Sequence, residues 1–138
     1  MTVYDTAGSE QFKSVCRSYY RGRDGVVLAY DITSQASFNN IQLWLNELEE
    51  VAPTNCSKIL VGNKLDLIEE KEDNDTLDLK QIQDRIKSGK VVKTEEAMAF
   101  AKKNNLLFQE VSSKSGKNLK KAFEYLALDI LRTKRMHQ

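Results

Sequence analysis

Three short strand-like runs, each closed by polar residues and each followed by a stretch of helical period, constrain this chain more than any other feature. Gly25–Tyr30 (GVVLAY) is apolar throughout, Lys58–Val61 runs into Gly62-Asn63, and Leu106–Val111 runs into Ser112-Ser113-Lys114. An apolar run bounded by turn signals fits a strand buried on both faces. Met1–Tyr4, ended by Asp5-Thr6-Ala7-Gly8, reads as a further short strand. Between the runs, Phe38, Ile41, Leu45 and Leu48 recur at spacings of three and four, the stripe of an amphipathic helix, and Pro53 ends that region. Thr94 opens another helix, with Glu95 and Glu96 in the first turn, where carboxylates suit the helix dipole. Its inner face is Ala97, Phe100 and Ala101, and the last helix carries Leu119, Ala122, Phe123, Leu126, Ala127, Ile130 and Leu131.

Alternation of buried strands with helices argues an α/β domain with a parallel sheet covered on both faces. The length of 138 residues fits one such domain, over 1–138. In sheets of this kind ligands bind beyond the carboxyl ends of the strands. That rule selects Asp5–Gly8, Asn63–Asp66 and Ser112–Lys114, each polar and each directly after an expected strand.

Several function classes are disfavoured. A formal net charge of +1 creates no field for nucleic acid or an acidic membrane. The closing basic cluster, Arg132, Lys134 and Arg135, reads as a solvated end. The two cysteines, Cys16 and Cys56, lack a CxxC or Cys/His pattern, which argues against zinc and redox chemistry and suits a reducing compartment. His137 is the single histidine, next to the last residue, so no Ser-His-Asp or Cys-His mechanism can be built. No run is long enough for a membrane span and the start does not read as a signal peptide, so a cytoplasmic protein is expected.

Asn63-Lys64-Leu65-Asp66 is the sharpest chemical signal. A carboxylate can accept two parallel hydrogen bonds from adjacent donors. Guanine presents such a pair, its ring N–H and exocyclic amine, and adenine does not. A site built for that pair rejects the analogue lacking it. The alkyl stem of Lys64 can lie along a planar base. Asp5 after a strand can hold a magnesium-bound water, and Gly8 lets a backbone N–H approach a phosphate oxygen. Backbone N–H groups of Ser112-Ser113-Lys114 can donate to a guanine carbonyl. Each string also has a bland reading: a strand-end turn, an Asx turn and an ordinary loop before a helix.

In this order and at strand ends, the three stretches resemble the later nucleotide-binding motifs of Ras-like small GTPases. Ser18-Tyr19-Tyr20-Arg21-Gly22, Val27-Leu28-Ala29-Tyr30-Asp31-Ile32-Thr33, Ser37-Phe38-Asn39-Asn40 and Trp44-Leu45 resemble the Rab branch, and Phe12, Lys13 and Ser14 fit its second switch. The likeness covers residues 1–68 and 91–131. It implies the P-loop small GTPase fold and a GTP/GDP switch in vesicle traffic. Asp66 would read guanine, supported by Asn63 and Lys64, with Ser112, Ser113 and Lys114 offering loop contacts. Asp5 would hold Mg2+ through water, Gly8 and Ser9 would lie at the terminal phosphate, and Phe12 and Tyr19 would face effectors and regulators.

The chain departs from that pattern in four places. It contains no G-x-x-x-x-G-K-[ST], the loop that cradles phosphates, and no first switch, so a domain truncated at its N-terminus, impaired in nucleotide binding and marginally stable, is expected. Ser9 stands where the family has a glutamine that orients the attacking water, so slow hydrolysis is expected. Residues 69–90 read as an insertion, a surface loop in which Leu79, Ile82 and Ile86 could line a short helix. No cysteine stands near the end to carry a lipid. Two alternatives follow from these departures: a nucleotide-independent interaction module of pseudo-GTPase type, and a non-functional gene fragment.

Overall fold

The computed structural model describes residues 1–5, 18–69 and 91–136. Three strands form a parallel sheet in the order β1 (Gly25–Asp31), β2 (Ser57–Asn63), β3 (Leu107–Glu110). Gly25 pairs with Ser57 and Asp31 with Asn63 along β1–β2, and Ile59 pairs with Leu107 along β2–β3. β2 is therefore central, and it is the most continuously buried strand.

Period-two alternation splits β2 between two cores. Leu60 joins Leu28, Tyr30 and Ile32 under α1 (Gln35–Asn39), α2 (Ile41–Val51) and α4 (Thr94–Lys103). Ile59 and Val61 face the other way, with Val111, and pack on Ala122 and Leu126 of α5 (Leu119–Met136). β2 is covered on both faces, but β1 departs from the expectation for Gly25–Tyr30: Leu28 and Tyr30 are buried while Val27 (38%) and Ala29 on the opposite face are exposed, because α5 packs on β2 and meets β1 at Gly25. A short helix, α3 (Asp66–Glu69), follows β2 directly.

The expected helix through Phe38, Ile41, Leu45 and Leu48 is present, and all four side chains are buried. It is divided at Asn40, whose N–H donates to Ala36 O and Phe38 O. Ser34 caps its start, accepting from the Ser37 N–H at 3.2 Å. Its end obeys the rule for a residue before proline: Ala52, just ahead of Pro53, is extended with ψ 148°. Glu95 and Glu96 open α4 and Lys102 and Lys103 close it, complementing the dipole at both ends. Tyr30, Phe38 and Phe100 stack edge-to-face at 5.0 and 5.4 Å, binding β1, α1 and α4 together.

Two expectations need correction. Met1–Tyr4 is not a strand: residues 1–5 carry no ladder pairing among the described residues, and Met1, Val3 and Tyr4 are 78%, 63% and 53% exposed. An apolar pattern of four residues forms a strand only where a neighbouring backbone accepts its hydrogen bonds. Leu131 lies off the buried stripe of α5 and is exposed, because it stands half a turn from Ala122 at 3.6 residues per turn. The switch residues Phe12, Lys13 and Ser14, the helix through Leu79, Ile82 and Ile86, and His137 lie outside the described residues. Among the described residues no helix is long and apolar enough to cross a membrane.

Candidate functional site at the carboxyl edge of the sheet

Asp31, Asn63 and Glu110 end the three strands, and the hydrogen-bond ladder continues past them. Ile32 N–H donates to Asn63 O at 3.1 Å, Val111 N–H to Gly62 O at 2.8 Å, and Leu65 N–H to Val111 O at 3.1 Å. The polar residues that follow β2 and β3 are thus held on one frame.

Asn63 locks two loops. Its Oδ1 accepts from the Lys64 N–H at 2.8 Å and the Ser113 N–H at 3.0 Å, and its Nδ2 donates to Ser113 Oγ at 3.0 Å. Lys64 is in the left-handed region, with φ 74°, so the chain turns sharply out of β2 and into α3. Asp66, the first residue of α3, is 7% exposed, and its Oδ1 accepts from Ser112 Oγ at 2.7 Å. Ser112 is fully buried, and its hydroxyl also accepts from the Ser115 N–H at 3.0 Å. A buried carboxylate held on one oxygen by a fixed hydroxyl keeps lone pairs for further donors.

The structure brings together Asn63, Lys64, Asp66, Ser112 and Ser113, which come from two stretches fifty residues apart. Two of the backbone donors expected for a guanine carbonyl are already engaged: the Ser112 N–H donates to Lys117 O, and the Ser113 N–H to Asn63 Oδ1. Ser112 instead meets Asp66 through its hydroxyl. Lys114 is exposed in the same loop, and Gly116, with φ 81°, allows the loop to turn back. Asp5 is exposed, and Tyr19 is 39% exposed, its carbonyl accepting from Arg23 Nε at 2.7 Å. Gly8, Ser9, Phe12 and the 69–90 insertion beyond Glu69 lie outside the described residues.

Magnesium prefers an octahedral set of oxygens and keeps several waters. Among the described residues no three His, Cys, Asp or Glu side chains converge on such a point.

Sequence reasoning missed Asp31 and Thr33. Asp31 Oδ2 pairs with Lys64 Nζ at 2.5 Å, and its Oδ1 accepts from the Thr33 N–H at 2.8 Å and Thr33 Oγ1 at 2.6 Å. Partial burial opposes ionisation of Asp31, but Lys64 and the two Thr33 donors outweigh it and hold the carboxyl below its ordinary value. The signal was present: Asp31-Ile32-Thr33 directly follows the apolar run Gly25–Tyr30, so the strand-end rule applies to it as well.

The sequence model of the Ras family matches residues 1–132. The chain is 40% identical over 130 residues to the GTP-binding protein YPTM2 of Zea mays, covering 94% of this chain and 55% of that protein. It is 41% identical over 123 residues to the Ras-related protein RABD2c of Arabidopsis thaliana, covering 89% and 52%. It is 37% identical over 130 residues to the Ras-related protein Rab-1D of Dictyostelium discoideum, covering 94% and 54%. The chain spans about half the length of these curated relatives.

Proposed function

This chain belongs to the Ras family, in its Rab-type branch, and from that premise we propose that it supplies the guanine-recognising end of a GTP/GDP switch in intracellular vesicle traffic. The observation that carries the reading is Asp66, a carboxylate 7% exposed at the carboxyl edge of the sheet, fixed by Ser112 at 2.7 Å. Guanine offers it two adjacent donors. Adenine offers a ring acceptor in place of the ring N–H, leaving the carboxylate facing a lone pair.

In this reading Asp66 takes the guanine pair, Asn63 holds the two loops in register, and the Lys64 stem lies along the base. Ser113 and Lys114 border the entrance. Asp5 contacts Mg2+ through water, Gly8 and Ser9 lie at the terminal phosphate, and Ser9 in place of glutamine makes hydrolysis slow. Phe12 and Tyr19 belong to the surface that effectors and regulators read. The 138 residues include no phosphate-cradling G-x-x-x-x-G-K-[ST]. Each charge-assisted hydrogen bond forgone there is worth about 1.5–3 kcal/mol, and each ~1.4 kcal/mol is tenfold in affinity. The 138-residue polypeptide on its own therefore binds guanine nucleotides no tighter than about millimolar.

The test is an amide NMR titration of the labelled 138-residue chain with GMP and with AMP. A preference for GMP of about tenfold or more, lost in Asp66→Ala, is expected. Shifts that do not distinguish the two bases, or that ignore Asp66→Ala, would refute the reading. They would favour a partner-binding module that does not use nucleotide.

A further inference from the structure

The carboxyl edge is divided. Asp66, Ser112, Ser113 and the Asn63 amide form one hydrogen-bonded group over β2 and β3. Lys64 belongs to the other half. Asp31 and Asn63 are in register at the ends of β1 and β2, and the Lys64 ammonium meets Asp31 Oδ2 at 2.5 Å. The lysine side chain thus crosses from the end of β2 to the end of β1, a gap of about 4.8 Å between neighbouring strands. Asp31 is itself held by two donors from Thr33, at 2.8 and 2.6 Å.

The pair is a poor stability device. The two side chains are 52% and 22% exposed, and ion pairs of that kind contribute little to folding. What the pairing does fix is direction. A lysine is a strongly hydrated charge on a flexible stem. A stem ordered before a planar ligand arrives does not have to be ordered by it, and affinity gains accordingly.

We propose that Asp31 is a positioning residue of the guanine site: gripped by Thr33, it tethers the Lys64 ammonium so that the lysine stem stands as one wall of the base slot before the nucleotide binds. This rests on the reading of Asp66 as the guanine acceptor. Asp31 touches no ligand and acts only through Lys64.

The experiment is a double-variant cycle on the labelled 138-residue chain, titrated with GMP and AMP: wild type, Asp31→Asn, Lys64→Met and the two combined. Asp31→Asn weakens GMP binding by about fivefold. Lys64→Met, which removes the ammonium, abolishes that effect, so adding Asp31→Asn to it causes no further loss. In ligand-free protein the Lys64 Cε order parameter falls in Asp31→Asn, which a general structural role would not single out. Thr33→Val, which loosens the grip while keeping both charges, gives a smaller loss that also vanishes in the Lys64→Met background. Losses that multiply in the combined variant would overturn the proposal, as would unchanged GMP affinity in both Asp31→Asn and Thr33→Val. A wild-type chain that prefers GMP while Asp31→Asn changes nothing sinks the positioning role alone. A wild-type chain with no preference for GMP over AMP removes the Asp66 reading and this inference with it.

Discussion

Replacing Tyr30 with phenylalanine should make this protein more stable. Tyr30 is 3% exposed, its ring packs edge-to-face on Phe38 at 5.0 Å, and its buried hydroxyl has no hydrogen-bond partner among the described residues. An unsatisfied buried hydroxyl costs about 1–3 kcal/mol. Deleting one oxygen leaves little void, because the hydroxyl lies close over Gly62: a Cβ placed there would come within 2.7 Å of it. Tyr30→Phe should therefore gain about 1–2 kcal/mol, a rise of roughly 3–8 °C in melting temperature. The gain should widen in alkali. Burial first, and then the charges of Glu110 and Glu96, push the phenol above its ordinary value of 10.0. Above about pH 10 the unfolded chain gives up this proton while the folded chain keeps it. The unfolded state then binds fewer protons, and stability falls by about 1.4 kcal/mol per pH unit until the folded phenol ionises. The phenylalanine variant escapes that fall. Urea unfolding followed by Trp44 fluorescence, at about pH 7 and about pH 10.5, reads both effects as a difference between the two proteins. A Tyr30→Phe variant less stable than the parent by more than about 0.5 kcal/mol near neutral pH would show that the hydroxyl is satisfied. A difference that does not grow above pH 10 would show that the phenol is not protected.

The same assay separates two glycines. A Cβ at Gly62 would meet Tyr30 Oη at 2.7 Å and Ile32 Cγ2 at 2.9 Å, whereas at Gly25 it would meet Ile130 Cδ1 at 2.8 Å, the far end of a flexible side chain. Gly62→Ala should cost about 2–3 kcal/mol and Gly25→Ala about 1 kcal/mol or less, and the reverse order in urea midpoints would refute this account of the packing. Asp31 titrates below its ordinary value of 3.8, so its contribution to stability is complete above that value and is lost as pH falls through the folded pKa. Asp31→Asn should therefore flatten the acid limb of the stability profile below about pH 4, by no more than ~1 kcal/mol because the pair is partly exposed. Ser112→Ala removes the hydroxyl that fixes Asp66 and should weaken GMP binding about tenfold in the NMR titration; unchanged affinity would mean that Asp66 is held by other means.

The central strand was legible because burial on both faces leaves a mark that needs no partner information, whereas the equally apolar run of β1 is exposed at Val27 and Ala29. Val26 to Tyr30 and Ile59 to Val61 are apolar at every position, and they form β1 and β2 in full register. Met1–Tyr4 shows the limit of that signal. Its residues are suitable for a strand, yet pairing belongs to the neighbour as much as to the segment, and residues 1–5 join no ladder among the described residues. At the candidate site, placing polar residues after expected strands selects Asn63, Lys64, Asp66 and the serine loop, and the structure brings these stretches together. Asp31 follows a strand equally directly, but its role depends on register. Nothing in the sequence alone says that residue 31 lies beside residue 63.

Register also explains why one short segment can serve both the fold and a ligand. Asn63 spends its amide on Lys64 and Ser113, and Asp66 spends one oxygen on Ser112. Those bonds join the loop after β2 to the loop after β3 whether or not a base is present. Lys64 adds a third tie, to the end of β1. A purine slot needs walls that do not move as it binds, since ordering them at that moment would subtract from affinity. Here the residues that could recognise the base are already committed to holding the three strand ends together. Such a site can keep its shape without any contribution from the phosphate end of a nucleotide. It follows that Ser112→Ala and Asp31→Asn should lose base affinity while both proteins still unfold cooperatively in urea, because each loosens a wall and leaves both cores intact. Loss of cooperative unfolding in either variant would instead mean that the strand-end ties hold the cores together.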